Sequence, residues 1–232
     1  MDAEALINTE TGTFYTVAAY FYSYFALMAV GIMVGLWRWK KLLASLKLLW
    51  ALLLWAAVTE AVGQVLVAEF KNNTVVYSLL RPVAFGLLAY VYYLELGSKV
   101  LLYSIPVFLC LHLVNGFFLQ PLGQVYDSYS MITSMLASSV WALLYLRRLL
   151  LFPEERHLRV YALFWASCGY LIFNASSLFV FGTLNVVRDA RFSSAYPVLQ
   201  TMRVAAAHIL YLTFLLSFLG RKVSLPTQRV PI

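Results

Sequence analysis

Glu60 and Arg81 are the residues whose types and places first suggest chemistry. Each lies inside a long apolar run, and the polar segment Glu69-Phe70-Lys71-Asn72-Asn73 separates the two runs. At 1.5 Å rise per residue both sit about 12 Å below one membrane face. A lone charge in hydrocarbon costs from about 3 to more than 10 kcal/mol, so such residues are usually paired and often functional. Opposite charges at one depth on antiparallel neighbours are expected to form a Glu60–Arg81 ion pair. Pro82 follows Arg81 directly. It lacks an N–H and leaves the Ser78 carbonyl free, which favours a kink beside the charge.

Other polar residues gather at the same level. Gln64 shares a helix face with Glu60, and Tyr77 with Arg81, each pair being four apart. His112 and Asn115 lie near the same end of the next run. Ser130, Ser134, Ser138 and Trp141 make one stripe, and Ser167, Tyr170, Asn174 and Ser177 another. Gln200 and Arg203 share a face, with His208 deeper, and Tyr20 and Tyr24 add hydroxyls from the first run. Polar groups facing lipid are costly, so these stripes are expected to face the bundle interior. The candidate ligand-binding set is Glu60, Gln64, Tyr77, Arg81, His112, Asn115, Asn174, Arg203 and His208. Arg203 has no evident partner in the sequence. Its planar fork suits a carboxylate or an acidic lipid headgroup; the alternative is that it snorkels to the interface. Serine and asparagine stripes can equally be helix–helix hydrogen bonds worth about 0.6 kcal/mol each. His112 can be a packing residue or a proton carrier.

No catalytic or cofactor motif accompanies these residues. Walker, G-x-S-x-G and H-E-x-x-H patterns are missing. The seventh apolar run has no lysine for a retinal Schiff base. Two histidines and a glutamate on separate runs carry no zinc spacing. Cys110 and Cys168 fall inside apolar runs and are expected as small buried hydrophobes. The reading is of no catalytic residue, no metal and no cofactor.

The elements that position this chemistry are legible from composition. The chain is 62% hydrophobic and 12% charged, against about 25% charged in soluble domains. It is therefore expected to be an all-α polytopic membrane protein. Seven spans, near 14–36, 42–68, 74–94, 100–118, 128–149, 160–182 and 196–219, form one domain over residues 1–232. The formal charge of +7 does not point to nucleic acid, because the basic residues cluster between apolar runs. Arg38, Lys40, Lys41, Lys47, Lys99, Arg147, Arg148, Arg156, Arg159, Arg221, Lys222 and Arg229 fall on one side; only Lys71, Arg188 and Arg191 fall on the other. The positive-inside rule then puts the N-terminus outside and the C-terminus in the cytoplasm. The acidic start, with Asp2, Glu4 and Glu10, lacks a signal-peptide n-region. Asn72-Asn73-Thr74 matches a glycosylation sequon. Pro106 is expected to bend the fourth span, and Pro197 suits the first turn of the seventh.

The stretch from Thr59 to Tyr93, with its Asn72-Asn73 hairpin, and the later Phe164-Trp165 and Gly169-Tyr170 pairs resemble small, uncharacterised seven-helix bacterial proteins. That resemblance implies an inner-membrane protein and no activity. Three functions remain open on the residues. One is a sensor or ligand-binding module with an outward polar pocket and a cytoplasmic or membrane signalling partner. The second is a small-solute transporter of 3+1+3 helices, in which Arg81 would match Arg203 and Glu60-Ala61 would match Asn174-Ala175. The third is an intramembrane enzyme using His112, His208 or Glu60.

Overall fold

The computed structural model describes residues 22–70, 73–122, 127–151, 161–187 and 196–220. Lys71, Asn72 of the sequon, Arg156, Arg159, Arg188, Arg191, the tail and Tyr20 lie outside them. The described chain is all helical: α1 (Tyr22–Trp37), α2 (Ala44–Phe70), α3 (Thr74–Leu96), α4 (Val100–Val114), α5 (Ser128–Leu151), α6 (Ala162–Val187) and α7 (Tyr196–Leu219). Among the described residues six of these are long and apolar enough to cross a membrane, and α1 is a shorter apolar helix. This is the architecture of a multi-pass membrane protein. From the second on, the observed helices overlap the expected spans, with α6 running past 182 to Val187, and residues 14–21 of the first expected span lie outside the described residues. The fourth differs in kind, because α4 runs into a π-helical turn at Asn115–Leu119.

The helices pack into a bundle. α3 packs on α2, α4 and α5, and its Tyr92 hydroxyl reaches Ser167 of α6 at 3.1 Å. Trp50 of α2 donates to the Ile32 carbonyl of α1 at 2.9 Å. Arg38, just past α1, donates to the Phe218 carbonyl of α7 at 2.9 Å. α6 and α7 form the most extensive pair.

Arginines close the helix ends at the basic face. The last carbonyls of a helix have no intrahelical donor and carry partial negative charge. Arg38 supplies that donor for α7. Arg148 supplies it for α3, reaching the Glu95 and Leu96 carbonyls at 2.9 and 3.0 Å. α3 itself ends on Gly97 at φ 72, a left-handed cap that glycine adopts without a Cβ clash. The Glu95 carboxylate accepts a 2.5 Å hydrogen bond from Ser45 of α2.

Small residues set the closest approaches. A Cβ on Gly169 of α6 would overlap the Thr213 Oγ1 of α7. Gly169→Ala is therefore expected to destabilise the bundle by about 1–3 kcal/mol, as overpacking does. Thr213→Ala should restore part of the loss, measured by thermal unfolding in detergent. A neutral Gly169→Ala would show that α6 and α7 do not pack this closely.

Candidate functional site

The charged residues at the sequon-side end form two clusters, one on each side of α3. Neither contains a Glu60–Arg81 pair. Arg81 instead meets Asp127, the residue just before α5, with a 2.8 Å contact between Nη1 and Oδ2. The same nitrogen donates to the Asp127 main-chain carbonyl at 2.8 Å. Ser78, one turn before Arg81, donates to Asp127 Oδ2 at 2.8 Å. Oδ1 accepts from Asn115 Nδ2 at 2.7 Å and from the Ser130 main-chain N–H at 3.3 Å. The last of these is an N-cap contact, so one carboxylate both ends α5 and holds the arginine.

The π-turn belongs to this cluster. It carries Asn115 and Gln120 to the start of α5. Gln120 accepts from Asn115 Nδ2 and from the Tyr129 N–H, both at 3.1 Å, and donates to Ser128 Oγ at 2.8 Å. Such bulges are frequent at functional sites. His112 completes the cluster. Its Nδ1 is 3.5 Å from Asp127 Oδ2 and has no hydrogen-bond partner. The Ser78 carbonyl loses its helical donor to Pro82. Arg81, expected beside Glu60, turns instead to Asp127.

The second cluster holds Glu60. Its Oε2 accepts from both Tyr24 of α1 and Tyr77 of α3, each at 2.8 Å. Gly63 lets the Tyr77 phenol lie on α2, since a Cβ there would come within 2.9 Å of the hydroxyl. Tyr211 of α7 stacks on Tyr24 at 6.0 Å. The charges of Glu60 and Arg203 both act on Tyr77 and Tyr211. Arg203 of α7 thus lies near the same two tyrosines as Glu60. His208 borders the cluster. Its Nε2 is 2.8 Å from Ser23 Oγ and its Nδ1 2.8 Å from the Val204 carbonyl.

The nine residues expected at one pocket thus divide. Arg81, His112 and Asn115 are together, and Glu60, Tyr77 and Arg203 are together with His208 beside them. Asn174 joins neither: it is buried between α5 and α6, donating to Ser138 and Ser139 Oγ at 2.8 and 3.0 Å and to the Met135 carbonyl at 3.2 Å. That is the helix–helix role. Gln64 is exposed, because Glu60 and Gly63, three apart, set the inner face of α2 and leave Gln64 one step around. Cys110 is also exposed rather than buried. The Gln200 side chain lies outside the described residues.

Sequence reasoning missed Asp127 and Gln120. Both flank apolar runs and read as loop. The available signal was Asp127-Ser128-Tyr129-Ser130, an N-cap residue opening a helix, which folds a carboxylate back onto the helix end.

Below the Asp127 cluster the bundle is aromatic. His112 stacks with Phe108, Phe108 with Phe85 at 4.0 Å, and Phe85 meets Trp141 at 4.9 Å. Tyr92 and Tyr145 carry this column on towards Glu95 and Arg148. The site can bind and reorganise charge at one end of the bundle. Beneath it lies packed ring surface. No protein-family model, curated protein or solved structure matches this chain.

Proposed function

We propose that the protein is a sensor or ligand-binding module of a bacterial inner membrane. It takes a small anionic solute or headgroup at the polar end of the bundle and passes the event to a membrane or cytoplasmic partner. The observation that carries this reading is the position of α3 between the clusters. Tyr77 touches Glu60, Ser78 and Arg81 touch Asp127, and Pro82 follows immediately. A helix missing a hydrogen bond at a proline has a natural pivot. Its far end is tied to α2 by Glu95 and to α5 by Arg148. An arriving carboxylate that competes for Arg203 or Arg81 changes what α3 is tied to at one end and so biases its other end. The aromatic column favours signalling over passage, because Phe85, Phe108 and Trp141 close the way below Arg81.

The test uses the full chain in nanodiscs and a panel of small carboxylates, read by thermal shift. A stabilising carboxylate should lose its effect in Arg203→Met and keep part of it in Arg203→Lys, since only arginine offers the two-donor fork. The same compound should not accumulate in proteoliposomes. Accumulation would make the protein a transporter, and stabilisation unchanged in Arg203→Met would remove the anion site.

The reading also sets an orientation: N-terminus outside, basic face in the cytoplasm. Reporter fusions at Pro153 and at the C-terminus should report a cytoplasmic location. Fusions placing the Arg147–Arg159 connection outside would reverse the site's side.

A further inference from the structure

The basic end of the bundle carries a groove outside both clusters. It measures about 600 Å³ and is lined by Leu36, Trp37, Trp39, Lys40, Lys41 and Trp50. Two of its three indoles are held in place. Trp50 donates its N–H to the Ile32 carbonyl at 2.9 Å and packs edge-on to Trp39 at 5.0 Å. Lys47 Nζ sits over the Trp39 ring, 5.4 Å from its centre. The short 3-10 turn Trp39–Lys41 sets both lysines beside these rings. Arg38, next to Trp39 in sequence, already donates to the Phe218 carbonyl. Lys40 and Lys41 remain exposed, and no carboxylate lines the groove.

We infer that this groove seats an anionic phospholipid, with its phosphate between Lys40 and Lys41 and its upper acyl chain against Leu36 and Trp37. The charge complementarity argues for this occupant. Trp37 is 81% exposed and Leu36 61%, an apolar wall continuous with the lipid-facing surface of α1. Tryptophan and lysine side by side match the boundary between acyl chains and headgroups, where indoles anchor and lysines meet phosphate. A soluble anion would use the ammonium groups and leave the apolar wall empty; a lipid uses both. Basic pockets at helix ends on this side of a membrane bind acidic headgroups by the same forces.

The experiment compares lipids retained by the full chain after extraction from vesicles of equal phosphatidylglycerol and phosphatidylcholine, counted by native mass spectrometry. Wild type should retain phosphatidylglycerol in preference. Lys40→Gln/Lys41→Gln should lower that preference by about tenfold to thirtyfold, as removing two surface lysines predicts. Lys99→Gln/Arg147→Gln, two exposed cations of the same face outside the groove, should leave it unchanged. Equal losses in both double variants would reduce the effect to the general charge of the face and overturn the site. Absence of any preference in wild type would overturn it too. So would displacement of the lipid by millimolar inorganic phosphate, which would make the ligand a soluble anion.

Discussion

Asp127→Asn should destabilise this protein by about 3–5 kcal/mol, the cost of leaving a buried charge without its partner. Asp127 and Arg81 side chains are 7% and 12% exposed, so water cannot replace what is lost. The isosteric amide keeps the Ser130 cap and most of the packing, which confines the change to the charge. With its oxygen in the place of Oδ1 it still accepts from Asn115 and the Ser130 N–H, but the NH2 group in the place of Oδ2 cannot accept from Arg81 or Ser78. Asp127→Ala should cost about 1 kcal/mol more, because the α5 cap goes as well. Arg81→Met/Asp127→Asn should recover much of the Asp127→Asn loss, since no buried cation then remains. The measurement is a double-mutant cycle on unfolding in mixed micelles. Effects of the two single changes that simply add would refute the pairing.

Glu60→Leu should be the second most damaging change, by about 2–5 kcal/mol. One carboxylate oxygen serves two tyrosine hydroxyls, and each buried hydroxyl left without an acceptor costs about 1–3 kcal/mol. Arg203 also loses the nearby negative charge. Glu60→Gln keeps an oxygen between Tyr24 and Tyr77 and should cost about 1 kcal/mol. The exchange Glu60→Arg/Arg81→Glu gives the sharper test. For a Glu60–Arg81 pair it would rescue. Here it places a second carboxylate against Asp127 and a second cation in the cluster of Arg203, so it should be worse than either single change. Rescue by this exchange would overturn the two-cluster arrangement and reinstate the direct pair.

Membrane character, the apolar helices and several of their starts were determined by the sequence alone, because they follow from local composition. Apolar runs of about 20 residues need no tertiary information to be read as spans. Thr74, Val100, Ser128 and Tyr196 begin helices where the runs begin. The burial of charge at one end was equally legible, since depth follows from residue count along a helix. Only the tertiary structure decided which charges meet. Glu60 and Arg81 lie at similar depth, yet Tyr77 fills the space beside Glu60 over Gly63, and Arg81 leaves α3 on the side of Ser78. Its partner Asp127 is outside every apolar run, and a π-turn together with a helix cap brings that loop carboxylate back onto the bundle. Gln64 and Asn174 were misplaced for a related reason. A polar side chain on an apolar helix must find a partner or face outward, and periodicity cannot say which, because the choice rests on the rotation of each helix against neighbours distant in sequence.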